Sequence, residues 1–196
     1  MKNNQNGSSM VEMLGVLGIV AMVSVGAIKM YSGIMDKYRI SVTNTQIQSI
    51  VKKVHELYVA KHDYLNLDTA EIIDNDLAPN EMVMSGTTAF LKNKLGGKTT
   101  IEAATDAGKN SESFYLWFSG LSKSACVAIG KVNPDPQGNS NFVEMRVGAA
   151  NAAQTGFSGA PGVYSAANFV AGTVTLNSLD TVCTDAVNNG IRWEFY

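Results

Sequence analysis

The feature that most constrains this chain is an apolar run near its N-terminus that contains a single acidic residue. From Met10 to Ile28, every side chain is apolar or absent except those of Glu12 and Ser24. Ser8 to Ile28 spans 21 residues. As an α-helix this length measures about 31 Å at about 1.5 Å per residue, and the hydrocarbon core of a bilayer is about 30 Å thick. The run therefore predicts one membrane-spanning helix.

Glu12 lies where a carboxylate is costly. A charged side chain at the centre of a bilayer costs about 2.5–3.5 kcal/mol on insertion scales, so an ionisable residue inside a span indicates a functional site. The alternative interpretation places Glu12 at the level of the lipid headgroups, where the cost is small. We favour a functional role, because Gly7 precedes Glu12 by five residues and follows a short polar segment.

This N-terminal arrangement resembles that of type IV prepilins and of the related pseudopilins. A polar leader with one positive charge ends at Gly7, and the apolar helix carries Glu12 five residues later. The resemblance implies that a prepilin peptidase cuts the Gly7–Ser8 bond and usually methylates the new α-amine of Ser8. The family often has Phe or Met at the first mature position, where this chain has Ser8. The resemblance is specific over residues 1–35 and general beyond them.

Ser8 and Glu12 would lie on one face of a helix, because they are four residues apart. The amine that cleavage creates at Ser8 is cationic at neutral pH, since such amines titrate near about 7.7–8.0. Inside a low-dielectric bundle, opposite charges depend on each other far more than they do in water. The pair could close within one subunit, or Glu12 could bind the amine of a neighbour. We favour pairing with a neighbouring subunit, because only one axial offset between the two helices then neutralises both charges. The resemblance implies the same pairing.

A conventional secretory signal is the alternative interpretation of the N-terminus. Lys2, the apolar core and the small residues at 24–27 fit that pattern. Glu12 argues against it, because the apolar region of a signal peptide rarely contains an acid. A strict count of the basic residues that follow the run would place them in the cytoplasm. We expect the opposite orientation, because both cysteines follow the run and a disulfide forms outside the cytoplasm.

Helical periodicity continues beyond the apolar run. Apolar residues recur at helical spacing: Ile40, Ile47, Val51, Val54 and Tyr58. The opposite face is polar, and no proline occurs between residues 8 and 78. The pattern predicts one helix over about 9–61, with an apolar half at 8–35 and an amphipathic half at 36–61.

Residues 62–196 have the length of one ordinary domain. Alternating or aromatic runs predict strands at 114–118, 142–147 and 191–196. Asp68 followed by Glu71 predicts a short helix at 69–76, and Ser122 predicts one at 123–129.

Two further features of this region carry expectations. The stretch from Gly148 to Gly172 is dominated by small residues and predicts loops across the surface. The aromatic residues at the C-terminal end, Trp193, Phe195 and Tyr196, are predicted to fill the core.

Cys126 and Cys183 both follow the apolar run. They could be two separate buried thiols, or they could form a disulfide. In a chain-entropy model, closing a loop of this size stabilises a fold by about 4 kcal/mol. The resemblance implies the disulfide, which in the family brackets a variable, surface-forming region. That region would here be 126–183.

Signals for catalysis or ligand binding are weak. Gly97-Lys98-Thr99 imitates the end of a phosphate-binding loop, but Lys92 occupies the position that requires the first glycine. His55 and His62 are seven residues apart, and we interpret them as solvated or interface residues. The sequence therefore predicts no enzyme, no cofactor and no metal site. The net charge is −2, which offers no general attraction for nucleic acid.

The resemblance implies an α+β fold in which a long N-terminal helix packs on an antiparallel β-sheet, with a disulfide towards the C-terminus. It implies a structural subunit of a type IV pilus, of the type IVb-like group, in which 8–35 forms the filament core and 62–196 the globular head. The expected partners are other copies of the chain, the inner membrane before assembly, the prepilin peptidase and the assembly machinery. The expected location is the inner membrane and then the extracellular filament.

Three alternatives to a major pilin remain. The chain could be a minor pilin, or a pseudopilin of a type II secretion system, although the main pseudopilin is commonly shorter and usually lacks the cysteine pair. It could also be a membrane-anchored periplasmic binding domain. Gly7 and Glu12 argue against the last class, because an anchor requires neither.

Overall fold

The computed structural model describes residues 10–61, 63–105, 111–136 and 141–196. Within these residues the chain contains one long helix, four short α-helices and a six-stranded sheet. Two compact units are present, of which the first ends at Tyr38 and the second comprises Arg39–Tyr196.

Helices and strands alternate irregularly along the chain. The α-helices are α1 (Met10–Tyr58), α2 (Thr69–Asp74), α3 (Lys123–Gly130), α4 (Ala166–Val170) and α5 (Leu176–Val182), and a short 3₁₀ helix covers Asn80–Met82. The strands are β1 (Leu91–Lys92), β2 (Lys98–Ala103), β3 (Phe114–Leu121), β4 (Phe142–Ala149), β5 (Gly162–Ser165) and β6 (Asn189–Phe195). Every predicted helix and strand is present, and the structure adds β1, β2, β5, α4 and α5.

The strand nearest the C-terminus lies inside the sheet. Among the described residues the strand order is β1-β2-β3-β6-β4-β5, and each neighbouring pair is antiparallel. Trp193 of β6 lies opposite Leu116 of β3 on one side and Met145 of β4 on the other. The predicted antiparallel sheet is therefore confirmed, and its centre depends on a strand that pairs with two segments distant in sequence.

The core of the second unit forms between this sheet and the part of α1 that belongs to the unit. Ile50 and Val54 of α1 are buried in one apolar cluster with Leu116, Trp193 and Phe195. Burial of large apolar side chains is the main favourable contribution to such a core. The amphipathic helix predicted from the periodicity is thus confirmed as the helical layer over the sheet.

The two short helices predicted from capping residues begin where the sequence indicates. The Asp68 carboxylate accepts a hydrogen bond from the backbone N–H of Glu71 at 2.8 Å, at the start of α2. The Ser122 hydroxyl accepts one from the N–H of Ala125 at 3.3 Å, at the start of α3. Each bond satisfies a backbone donor that a helix N-terminus otherwise leaves unpaired.

The C-terminal end of α1 is tied to α2 through a tyrosine. The buried Tyr58 hydroxyl donates a hydrogen bond to Glu71 Oε2 at 3.1 Å. Burial raises the pKa of Tyr58 well above its usual range, and the hydrogen bond to Glu71 raises it further. Both effects disfavour the phenolate, so Tyr58 remains a hydrogen-bond donor throughout the physiological pH range.

A loop covers part of the sheet around Trp117 of β3. Trp117 is 3% exposed and makes an edge contact with Phe157, with ring centroids 4.8 Å apart. Its indole Nε1 donates to the carbonyl of Gln154 at 2.8 Å. The same ring packs closely against the backbone of Gly190 in β6, where a side chain would collide with it. Trp117 therefore anchors the 150–158 loop to the sheet.

Two expectations about this unit are wrong in part. The stretch from Gly148 to Gly172, predicted as loops, contains β5 and α4, because pairing with β4 and a local cap impose structure on residues of weak propensity. Tyr196, predicted to fill the core with Trp193 and Phe195, is 54% exposed. Tyr196 follows Phe195, the last residue of β6, whereas Trp193 and Phe195 belong to the buried apolar cluster.

Substituting Gly190 tests the close approach of Trp117. In Gly190→Ala, the new Cβ would overlap Trp117 Cη2 and lie 2.6 Å from Cζ2. We expect a loss of about 1–3 kcal/mol of unfolding free energy, the usual cost of overpacking a core. Gly159→Ala is the matched control, because nothing lies within 4 Å of the position that its added methyl group would take. Thermal unfolding followed by circular dichroism should show a lower Tm for the first variant alone, and equal Tm values would contradict the packing described.

Candidate functional site

The first unit presents an apolar surface to its surroundings. Every side chain described between Met10 and Ile34 is exposed, including the large residues Met13, Leu17 and Met22. An 18-residue window of this helix has a mean hydropathy of 2.0, so the helix is long and apolar enough to cross a membrane by length and composition. A helix that is apolar all round is stable only in lipid or in the interior of an assembly.

Glu12 is placed by α1 within that apolar surface. It lies in the first turn of the helix, where the partial positive charge of the helix N-terminus favours an acid. Its neighbours in a shallow surface depression are Met13, Val16 and Leu17. The predicted processing residues Gly7 and Ser8 lie outside the described residues, so the pairing of Glu12 with the Ser8 amine stays a prediction.

Cys126 and Cys183 form a disulfide, as the resemblance implied. The S–S distance is 2.07 Å and the Cα atoms are 6.1 Å apart. Cys126 belongs to α3, Cys183 follows the last residue of α5, and both are completely buried. The bond joins two helices that also pack through Leu179 of α5, which approaches the backbone of Gly130 in α3. It encloses β4, β5, α4 and α5.

The sequence patterns did not predict α4 or α5, although each has a local signal. Ser165 and Asn168 form a reciprocal cap at the start of α4, in which Asn168 Oδ1 accepts from the Ser165 N–H at 2.7 Å. Thr175 and Ser178 form the equivalent cap at the start of α5, at 3.1 and 2.9 Å. The usual form of this cap has Glu or Gln at the third helical position, so the usual sequence pattern misses a cap that is formed by Asn or Ser.

The residues considered as ligand-binding candidates make structural contacts instead. His55 Nε2 donates to the backbone oxygen of Tyr196 at 2.6 Å, and its ring lies edge-on to Phe114 with centroids 5.6 Å apart. Lys98 Nζ donates to the carbonyl of Ala153 at 3.0 Å. Among the described residues, no group of three or more His, Cys, Asp or Glu could hold a metal ion. His62 lies outside those residues.

An open groove of about 480 Å³ lies beside the helical layer of the second unit. Its lining includes the apolar residues Ile47, Val51 and Phe195, together with Pro134 and Pro136. Charged side chains of α1 also border it. The shape of this groove alone indicates no reaction.

A family model described as PilS N terminal matches residues 37–194. This chain belongs to the PilS N-terminal family. The match covers the amphipathic part of α1 and nearly all of the second unit, including both cysteines of the disulfide.

Curated relatives of this PilS-family chain are subunits of a bacterial filament. The major structural subunit of bundle-forming pilus from Escherichia coli O127:H6 is 24% identical over 132 residues, which is 67% of each chain. The protein of the same description from Escherichia coli O111:H- matches equally.

Two solved structures have the same fold. TcpA, a type IV pilin from Vibrio cholerae El Tor biotype, has a TM-score of 0.54 at 16% identity, and the match covers 81% of this chain and 99% of TcpA. A type IVb pilin from Salmonella typhi has a TM-score of 0.54 at 17% identity, and the match covers 78% of this chain and 97% of that pilin. The resemblance to type IV pilins and the predicted pilin fold are therefore confirmed.

Removing the disulfide should destabilise the second unit. In a Cys126→Ala/Cys183→Ala double variant, we expect a loss of about 2–5 kcal/mol of unfolding free energy, because the loop between the two positions is no longer closed in the unfolded chain. Urea unfolding with and without a reductant measures the effect. Reductant should lower the stability of the wild type towards that of the variant and leave the variant unchanged. A reductant effect on the variant would show that another process is responsible.

Proposed function

We propose that this chain is the structural subunit of an extracellular type IV pilus and that it polymerises through its N-terminal helix. The observation that carries the proposal is the apolar surface of residues 10–34, in which every described side chain is exposed. In water such a surface drives association, since burial of apolar area is favourable in rough proportion to the area removed from water. Side-by-side packing of many copies of α1 covers this surface after it leaves the membrane.

The domain organisation follows from the same requirement. Residues 1–7 are a leader peptide, 8–35 span the inner membrane in the precursor and form the core of the filament, and 36–61 are the amphipathic half of the helix. Residues 62–196 form the globular head on the outside. The separation into two compact units near Tyr38 supports this division. The structural role of the curated relatives supports a filament subunit and not an enzyme.

Glu12 sets the axial register between subunits in this proposal. A carboxylate among Met13, Val16 and Leu17 is stable in a closed apolar bundle only when a positive charge neutralises it. Cleavage of the Gly7–Ser8 bond by a prepilin peptidase supplies that charge as the α-amine of Ser8, which the same enzyme usually methylates in type IV pilins. The amine of one subunit binds Glu12 of its neighbour, and the assembly machinery adds subunits at that offset.

Substituting Glu12 tests the pairing directly. In Glu12→Ala, the amine of each incoming subunit loses its partner in a low-dielectric core, where breaking a buried ion pair costs about 3–5 kcal/mol. We expect the protein to remain in the membrane fraction while sheared surface filaments fall by about tenfold or more. Electron microscopy and immunoblots of the sheared fraction measure this yield.

Glu56→Ala is the matched control for Glu12→Ala. Glu56 is an acid on the same helix whose ion pair with Lys52 is exposed, at 3.7 Å, and exposed pairs contribute about 0–1 kcal/mol. Filaments of this variant should equal those of the wild type. Normal filaments from Glu12→Ala would exclude the proposed pairing.

The processing site has an independent test. We expect N-terminal sequencing of the main component of sheared filaments to begin with Ser8, followed by Ser-Met-Val-Glu, and mass spectrometry to show one additional methyl group. The membrane-bound precursor should retain residues 1–7. Filaments whose main component retains residues 1–7 would refute cleavage after Gly7.

A further inference from the structure

One hairpin of the second unit collects lysines and excludes acids. β1, β2 and the turn between them contain Lys92, Lys94 and Lys98. Residues 82–101 contain no other charged side chain. We call residues 91–98 the basic hairpin. It is a positive segment in a chain whose net charge is −2.

Backbone pairing brings two of these charges together. Lys92 lies directly opposite Lys98 in the β1–β2 pair, and like charges in that relation destabilise a sheet. Within the part of the chain that the structure describes, no acid forms an ion pair with any of the three lysines. Lys92 and Lys94 are exposed. An anionic partner would therefore relieve a repulsion that the fold itself leaves in place.

The basic hairpin is fixed firmly to the neighbouring strand. Asn93 Oδ1 accepts hydrogen bonds from the backbone N–H groups of Leu95 and Gly97, each at 3.0 Å. Asn93 Nδ2 donates to the carbonyl of Ser119 in β3 at 2.9 Å. The exposed lysines therefore extend from a turn whose backbone is held in one conformation.

The basic hairpin lies at the end of the second unit where α1 enters that unit. The backbone oxygen of Tyr196, just after β6, contacts His55, whereas Trp193 borders a depression beside Asn44. β6 therefore runs in the same direction as α1, and its first residues lie towards the earlier residues of the helix. β3 and β2 alternate in direction, so Lys98 at the start of β2 lies at that same end.

This end of the unit is close to the proposed membrane span by chain connection. The unit begins at Arg39, which is exposed and basic. The proposed span ends at residue 35, so the chain between the two positions extends over at most about 14 Å. The headgroup region adds about 5–8 Å to each side of the hydrocarbon core. Arg39 and the end of the unit that contains it therefore lie near the lipid headgroups in the membrane-bound precursor.

Acidic side chains lie at the other end of the unit. Asp63, Asp68 and Glu71 are close enough to the Tyr58 hydroxyl, at the C-terminal end of α1, to raise the pKa of Tyr58. Residues 63–81 contain no Lys, Arg or His. An anionic surface would therefore attract the end of the unit that carries the basic hairpin and repel the end around Tyr58.

We propose that the basic hairpin binds the phosphate groups of anionic phospholipids while the subunit is anchored in the membrane. The inference rests on the membrane-bound stage of the proposed function. Each basic residue near an anionic membrane strengthens the association about fivefold, and the attraction falls off within a Debye length. The contact holds the head against the membrane surface and is released when the subunit leaves the lipid for the filament.

Lysines on an edge strand have another possible role. β1 is the outermost strand at its side of the sheet, and exposed lysines on such a strand prevent pairing with other chains. That role does not depend on the charge of the lipid. The two explanations therefore differ in a measurable way.

Amine labelling of the reconstituted full-length chain tests the lipid contact. The chain is inserted into vesicles of phosphatidylcholine, with or without phosphatidylglycerol, and treated with an uncharged acetylating reagent. Mass spectrometry then measures the labelling of each lysine. We expect phosphatidylglycerol to slow the labelling of Lys92 and Lys94 about fivefold or more. High salt should restore it, because the Debye length is about 3 Å at about 1 M. Lys61 is the internal control, because it is exposed and contacts Tyr58 at the other end of the unit, so its labelling should not change.

Substitutions of Lys94 separate its charge from its other contacts. In Lys94→Glu the turn loses a positive charge and gains a negative one, so Lys92 should be labelled at the same rate in both kinds of vesicle. Lys94→Arg keeps the charge and should keep the protection of Lys92. Lys61→Glu is the matched control, because it makes the same charge change outside the basic hairpin, and Lys92 should stay protected.

Three results would overturn the proposal: equal labelling of Lys92 in the two kinds of vesicle, equal slowing of Lys61, or protection of Lys92 in Lys94→Glu. Protection of Lys92 by a short DNA duplex but not by phosphatidylglycerol would also overturn it, since the partner would then be a nucleic acid. Vesicle flotation distinguishes the two levels of failure. A chain that floats with the vesicles and shows no protection refutes this inference alone, whereas a chain that enters neither kind of vesicle refutes the membrane stage of the proposed function and this inference with it.

Discussion

The apolar surface of α1 between Met10 and Ile34 is the constraint on which the rest of this protein depends. A helix with such a surface needs lipid or other helices around it. It accounts for the two environments that we propose for the chain, first a membrane and then a filament core. It also gives Glu12 its importance, because a carboxylate within that surface needs a positive charge wherever water is excluded.

In the second unit, α1 buries only one of its faces in the core, because the opposite face is polar. Residues 39–58 of α1 provide an amphipathic stripe, and the sheet provides the complementary apolar face. β6 completes that face by inserting between β3 and β4, and its Trp193 and Phe195 are among the largest buried side chains. The disulfide then joins α3 to α5, so the segment between the cysteines is closed at its base.

That closed segment shows how a fold can tolerate weak local preferences. Small residues between Gly148 and Gly172 have little tendency to form strands or helices. They are nevertheless ordered by pairing with β4, by the reciprocal cap of Ser165 and Asn168, and by the Trp117 contact with the 150–158 loop. Pairing, capping and packing together therefore order a segment whose residues favour neither strand nor helix strongly.

The sequence by itself determined those features whose causes are local. The helical stripe predicts the C-terminal end of α1 within three residues, and Asp68 and Ser122 predict the starts of α2 and α3. The composition of 114–118 predicts β3, since an aromatic run of that length is buried on both faces. The resemblance at Gly7 and Glu12 predicted the family, because that pattern is specific.

Only the tertiary structure decided which distant segments meet. The position of β6 between β3 and β4, the existence of β2 and β5, and the exposure of Tyr196 depend on pairings between residues far apart in the chain. The sequence alone does not determine which distant strands pair, because the entropic cost of closing a long loop differs little from one long-range partner to another. Packing of Trp193 against both neighbouring strands selects among them.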